Sequence, residues 1–199
     1  MGKKLAALEN EYNEALRRGL ETLRSGKLLV FPTDTVYGLG GDATNPEVLE
    51  KIYSVKERDR GKPFAVVMSG LEMLREWCEI PSDAAFALPE LLPGPYTLIF
   101  KLKQGKKLAG RIEKIGIRVP NHFFLRKLVL DFGNPIIATS ANLSGGKDPV
   151  SVKEIDAKIL RSSGLCIDGG ETAEKKPSTV IDWAERKVLR RGAGKFEFK

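Results

Sequence analysis

The sequence predicts an α/β fold in which a twisted mixed sheet is flanked by helices, and three observations predict it. Apolar residues at helical spacing alternate with short apolar runs of strand length. Polar residues gather where those runs end. No repeat, low-complexity tract or linker divides the 199 residues, so residues 1–199 read as one domain, with 1–15 as an N-terminal helical extension.

The elements follow in order. Leu5, Leu8, Tyr12, Leu16, Leu20 and Leu23 form a helical stripe that Gly19 weakens and Ser25-Gly26 ends. Leu28-Leu29-Val30-Phe31 is a buried strand closed by Pro32. Asn45-Pro46-Glu47 opens a helix whose Val48, Leu49, Ile52 and Tyr53 face a core. Phe64–Met68 is a strand, and Ser69 with Glu72 supplies a capping box for the next helix. Ser82–Leu92 is a helix stopped by Pro93-Gly94-Pro95. Tyr96–Leu102 and Ile115–Val119 are strands, and a helix over Phe123–Phe132 leads to the strand Ile136–Thr139. Ser151 and Glu154 form a second capping box, opening a helix to about Ser162. Leu165–Ile167, Thr179–Asp182 and Val188–Arg190 close the chain as short strands.

Composition narrows the function. No apolar run approaches the ~18 residues of a membrane span. Met1-Gly-Lys-Lys-Leu lacks the apolar core of a signal peptide, which predicts a cytoplasmic protein. Cys78 and Cys166 have no metal-ligand spacing, and one histidine, His122, builds neither a histidine metal site nor a His-based triad; no metal-ligating residues are assigned. The net charge of +7 suits phosphates, nucleic acid or plain solubility, and leaves the three open.

The most informative stretch is Phe31-Pro-Thr-Asp-Thr-Val-Tyr-Gly-Leu-Gly-Gly-Asp42. It leaves the tip of a buried strand, where open α/β sheets bind ligands, and its glycines let the backbone approach one closely. Ser140, Asn142 and Ser144 follow a second strand; Arg118 ends a third, and Ser178 precedes a fourth. Lys56, Arg58, Arg60 and Lys62 gather where a helix gives way to Gly61 and Pro63. Hydroxyls, one amide and several cations, without carboxylate pairs or a nucleophile–base pair, suit a polyanion better than hydrolysis by a covalent serine. Each piece has a plainer reading. The Lys56–Arg60 run suits a solvated helix end, Ser140–Gly146 a self-bonded turn, Arg118 a structural ion pair, and Ser178 a turn residue.

Six motifs in order carry a resemblance. They are Phe31-Pro-Thr-Asp-Thr-Val-Tyr-Gly-Leu, Lys56-Glu-Arg58 with Lys62-Pro-Phe64, Leu92-Pro-Gly-Pro-Tyr-Thr-Leu98, Gly116-Ile-Arg-Val-Pro120, Ser140-Ala-Asn-Leu-Ser-Gly145 and Pro177-Ser-Thr-Val-Ile181. From about Leu16 to about Gly192 the chain resembles the threonylcarbamoyl-AMP synthase family, in its short, single-domain form with a YrdC-like fold. The resemblance implies an enzyme that makes threonylcarbamoyl-AMP and pyrophosphate from L-threonine, bicarbonate and ATP with Mg2+. A separate transferase complex then uses the adenylate to modify tRNA. It implies Lys56 and Arg58 as catalytic, and Arg58, Lys62, Ser140, Asn142 and Arg190 as ATP contacts. Thr35, Arg118 and Ser178 would line the L-threonine site. Two positions depart from the pattern: Val67-Met68 stands where relatives often carry a histidine, and Arg190-Arg191-Gly192 replaces Arg-Pro-Gly. The rivals are an RNA-binding module without catalysis, a carbamoyl-adenylate-forming enzyme, and a structural or interaction protein; tRNA or RNA contact is left open.

Overall fold

The computed structural model describes the backbone of residues 2–111 and 113–198, and side chains from residue 10 onward, Ile112 and Lys199 apart. Met1 and the side chains of Leu5 and Leu8 lie outside the described residues. α1 (Gly2–Arg24) runs through Gly19 unbroken. That glycine instead admits a neighbouring helix: a Cβ there would lie 3.0 Å from Leu128 Cδ1. α1 ends at Gly26, whose φ of +63 suits glycine.

β1 (Leu29–Phe31) is followed by β2 (Gly38–Asp42), a strand where the sequence suggested a glycine loop. Its glycines answer first to packing. A Cβ on Gly38 would lie 2.4 Å from the Phe31 ring, and one on Gly40 would lie 1.7 Å from the Ile137 carbonyl oxygen. α2 (Pro46–Lys56) is capped by Asn45, whose Oδ1 accepts from Glu47 N at 2.9 Å. β3 (Ala65–Val67), α3 (Leu71–Trp77), β4 (Cys78–Glu79), α4 (Ser82–Leu91), β5 (Tyr96–Leu102) and β6 (Lys114–Arg118) follow. The short β4 carried no sequence signal. α5 (Phe123–Phe132) is capped by His122, whose Nδ1 accepts from Leu125 N, and it leads to β7 (Ile136–Ser140).

Neither capping box forms. Gly70 caps α3 without a side-chain bond, and the Ser69 hydroxyl donates to Met73 Sδ. Ser151 opens only a 3-10 turn, Val152–Glu154, again without a side-chain bond. Asp156 then caps a separate helix, α6 (Ala157–Ser162), by accepting from Lys158 N at 2.7 Å. Aspartate simply offers the cap one turn later. β8 (Leu165–Cys166), β9 (Thr179–Asp182) and β10 (Lys187–Arg190) complete the sheet.

The strands order as β10-β9-β5-β6-β3-β7-β2-β1-β8, with β4 on β5. β3/β6, β5/β9 and β1/β8 are parallel and the other pairs antiparallel, so the sheet is mixed. Strand alternation divides the core in two. Leu28, Val30, Val66, Ile117 and Ile137 face a large cluster shared with α2, α3, α4 and α6. Leu29, Phe31, Val67, Ile136 and Ala138 face a smaller one against α1 and α5. Beyond Val67 and Ile136 on that second face, the sheet carries a cavity.

Candidate functional site

The cavity encloses about 330 Å³, and strand register arranges its walls in three tiers. The middle tier is its floor: Ala138 pairs with Ala65, Ala65 with Gly116, and Gly116 with Ile99. Small side chains there create the space. At one end Val67 pairs with Arg118, and the pairing of Leu98 with Ile117 brings Thr97 alongside. At the other end stand Lys114, paired with Lys101, and Ser140, paired with Gly38. Arg118 and Lys114 share a strand face, separated by about 13 Å at ~3.3 Å per residue.

The Arg118 end is built on the Thr33-Asp34-Thr35 turn. Thr33 Oγ1 accepts from Thr35 N (3.0 Å) and Val36 N (3.2 Å) and donates to Val36 O (2.7 Å), so the hydroxyl shapes its own turn. That turn aims Asp34 at Arg118. Arg118 Nη2 donates to Asp34 Oδ1 and to Thr35 Oγ1, both at 2.7 Å, while Asp34 Oδ2 accepts from Asn121 N at 3.0 Å. Arg118 is only 8% exposed, and among the described residues its buried Nε has no hydrogen-bond partner. Burial lowers its pKa and Asp34 opposes the fall; a guanidinium keeps its charge regardless. Ser178 Oγ lies 2.7 Å from Thr97 Oγ1. Arg190 donates to the Ser178 carbonyl from Nε (3.1 Å) and Nη2 (2.9 Å), and to its hydroxyl at 3.2 Å. Arg191 turns away toward Glu197, so Arg190 is the arginine of the cavity.

The opposite end rests on one left-handed residue. Glu57, φ 52, stops α2 and reverses the chain, which sends Lys56 inward and Arg58 to the cavity. Lys158 pairs with Glu57 from α6. Arg58 is held by the carbonyls of Lys62 (3.3 Å) and Pro63 (3.2 Å) and lies 5.0 Å above the Phe64 ring.

Nine residues were expected at a site, and the structure sorts them. Arg58, Arg118, Ser140, Ser178 and Arg190 line the cavity. Thr35 is fully buried behind it, bonded to Arg118. Lys56, Asn142 and Lys62 do not line it. Lys56 is 1% exposed, and its ammonium donates to Ser140 O (2.5 Å), Asn142 O (2.6 Å) and Asn142 Oδ1 (3.0 Å). Those bonds match the three donors of a lysine, so Lys56 buttresses the Ser140–Asn142 segment from behind instead of facing a ligand. Asn142 is likewise occupied: its Oδ1 also accepts from Ser140 Oγ, and its Nδ2 donates to Gly146 O and Asp148. Lys62 is exposed and supplies its carbonyl.

Sequence reasoning missed Lys114, Arg111, Thr97 and Asp148, all on the cavity wall. Counting by twos from Arg118 through Gly116 reaches Lys114; Asp148 carried no comparable signal. Val67 is wholly buried against α1 and α5, which explains an apolar residue there, and His122 serves as a helix cap. Five cations (Arg58, Arg111, Lys114, Arg118, Arg190) face one carboxylate, Asp148, across this wall.

An α/β sheet with that charge over a small-residue floor presents a cavity whose charge complements a polyanion. Residues 21–192 match the Sua5/YciO/YrdC family, described as telomere recombination. The chain belongs to that family. It is 35% identical over 179 residues to the threonylcarbamoyl-AMP synthase of Bos taurus, covering 86% of this chain and 64% of the bovine one. It matches the crystal structure of Pyrococcus abyssi Sua5 complexed with L-threonine with a TM-score of 0.82 and 33% identity, over 89% of this chain and 54% of that one. E. coli YciO matches with a TM-score of 0.81 and 28% identity, over 92% and 91% of the two chains. This chain therefore spans about two thirds of the bovine relative and about half of the archaeal structure.

Lys56 gives the site a pH signature. Burial first, then Arg58, pull its pKa from 10.5 down to about 8, with Asp148 opposing. Between these values the unfolded chain binds more protons than the folded one, so this group makes stability rise with pH. Deprotonation also removes positive charge from behind Ser140, so affinity for inorganic pyrophosphate is expected to fall over the same window. Urea unfolding and calorimetry from pH 7 to 10 check both signs. A parent whose stability rises no more steeply than that of Lys56→Met would refute the assignment.

Proposed function

We propose that this protein is an L-threonylcarbamoyladenylate synthase, forming threonylcarbamoyl-AMP and pyrophosphate from L-threonine, bicarbonate and ATP. The observation that carries this is one cavity with a buried arginine at one end and further cations at the other, parted by a floor of small residues. Membership of the family, with relatives bearing that activity in their names, supports it.

The amine of threonine and bicarbonate combine to a carbamate with loss of water. A carbamate oxygen then attacks the α-phosphorus, and the bond to the bridging oxygen of pyrophosphate breaks. Arg118, fixed by Asp34 and Thr35, presents its remaining donors to the amino-acid carboxylate. Ser178 and Thr97 put two hydroxyls beside it for the substrate's own hydroxyl. Arg58 and Ser140 meet phosphate oxygens and offset charge that grows in the transition state. Lys56 and Asn142 hold Ser140 in place, and Arg190 steadies Ser178 while extending toward the nucleotide.

Magnesium enters with ATP. Among the described residues no three His, Cys, Asp or Glu side chains gather as a metal site, and Asp148 is the carboxylate on the wall. When bound, the ion neutralises phosphate charge. The adenylate then passes to a tRNA-modifying transferase complex in the cytoplasm. Among the described residues no helix is long and apolar enough to cross a membrane.

The test is pyrophosphate release from ATP and magnesium, with L-threonine and bicarbonate omitted in turn. Release is expected only with both present, together with a labile threonine-containing adenylate by mass spectrometry. Release driven by carbamoyl phosphate instead would move the protein to carbamoyl-adenylate chemistry. Absence of release from a folded sample that binds RNA would favour the binding module.

A further inference from the structure

We infer that Tyr37 is a positioning residue for the amino-acid end of the cavity, acting through residues 168–177, which its phenol holds as a strap across the Thr33-Asp34-Thr35 turn. The inference rests on the synthase reading. Within this motif the resemblance implies a role for Thr35, and none for Tyr37 or the strap.

Tyr37 is fixed by the core before it fixes anything else. It is wholly buried in the larger cluster, its amide donates to Pro149 O at 2.8 Å, and its carbonyl accepts from Ala141 N at 2.9 Å. Part of the residue lines the cavity, but its hydroxyl is engaged with the strap. The phenol donates to Gly170 O at 2.7 Å and accepts from Gly169 N at 3.0 Å, with Asp168 Oδ1 3.2 Å away. Asp168 Oδ1 also accepts from Gly170 N at 2.9 Å, which closes the strap's first turn on the phenol. Gly170 sits there at φ +77, a conformation that suits glycine. Burial pushes the phenol pKa up to about 12, so the donated proton is retained at neutral pH.

The strap connects two residues that serve the Arg118 end. Leaving β8, it packs Gly169 against Pro32, where a Cβ would lie 2.7 Å from Cγ. Thr172 N then donates to Val150 O, and Glu174 N to Asp34 O, both at 2.9 Å. Pro177 and Ser178 follow on the cavity wall. Asp34 therefore carries the strap on its carbonyl and Arg118 on its carboxylate. Ser178, at the strap's far end, meets Thr97. Most residues of the strap are exposed, so few apolar contacts hold it, and a segment of that kind opens at low cost. The phenol ties it to the core. Without that tie the strap would pull less firmly on both Asp34 and Ser178. Arg58, after α2, and Ser140, on β7, would keep their places.

The experiment joins calorimetric titration of the intact protein with L-threonine, steady-state pyrophosphate release, and timed trypsin cleavage read by mass spectrometry. Y37F keeps the ring and removes the hydroxyl; Gly169 and Gly170 are exposed, so water replaces their lost partner and the fold survives. Threonine affinity is expected to fall about tenfold, the scale of one hydrogen bond, and KM for threonine to rise with it. The KM for ATP and kcat should stay near the parent values. Cleavage between exposed Lys175 and Lys176 should quicken in Y37F, and L-threonine should slow it in the parent. Gly170→Ala, strained at φ +77, loosens the strap from its other side and should give the same split. Parent-like threonine affinity in Y37F overturns the assignment, and so does an equal loss of threonine affinity, ATP affinity and kcat, which marks a merely structural role. A parent that binds no L-threonine overturns the synthase reading instead. Cleavage alone then judges the strap: a faster cut in Y37F upholds the phenol's hold on it, and an unchanged cut overturns that too.

Discussion

Arg118→Ala is expected to lower threonine-dependent pyrophosphate release at least a hundredfold, and also to destabilise the fold. The two effects have different origins and can be separated. Arg118 and Asp34 form a charge pair with side chains 10% and 5% exposed. Removing one member leaves the other charge buried without its partner, which costs about 3–5 kcal/mol. Asp34 also holds Asn121 N, so the segment entering α5 would feel the loss. The catalytic loss comes from the guanidinium itself, which lines the cavity beside Thr97 and Ser178. The double variant Arg118→Ala/Asp34→Ala removes both charges. It should recover much of the stability in urea unfolding while its threonine affinity stays at the level of the single variant. Near-parent threonine affinity in the double variant would make Arg118 a structural ion pair and nothing more.

Much of the fold was legible because it is written locally. The helix over Phe123–Phe132, the Asn45 cap and the strands Tyr96–Leu102 and Thr179–Asp182 each follow from spacing, capping or β-branched content within a few residues. Two of the site residues that do not line the cavity, Lys56 and Asn142, depend on each other across the sequence. Nothing near Lys56 announces that its ammonium lies among the oxygens of Ser140 and Asn142, more than eighty positions away. Arg190 and Arg191 could not be told apart by counting, because the β9–β10 register shifts between Val188 and Arg190 and breaks the alternation. The capping boxes matched a pattern, but Asp156 offered a competing cap. Arg111 and Lys114 became visible only once register set Lys114 on the face of Arg118.

The glycine run after Tyr37 shows how one signal can serve two ends, and it yields a second large effect. Gly40→Ala is expected to be among the most destabilising single changes in the chain. The new Cβ would lie 1.7 Å from the carbonyl oxygen of Ile137, a backbone atom in the paired strand that no rotamer change can move aside. Relief requires β2 and β7 to part, and several kcal/mol is the usual scale for overpacking that displaces backbone. β7 delivers Ser140 to the cavity, so the same displacement should lower activity in whatever fraction still folds. Gly41→Ala supplies the contrast. Its Cβ would meet Val48 Cγ1 at 2.6 Å, a side-chain atom on α2 that can shift. Thermal melts should therefore rank the parent first, Gly41→Ala next and Gly40→Ala last, with the larger gap before Gly40→Ala. Equal melting temperatures for the two variants would mean that β2 and β7 are not held as closely as this packing requires. The backbone approach that the sequence suggested for a ligand is made first by the neighbouring strand, and the cavity is shaped by that closeness.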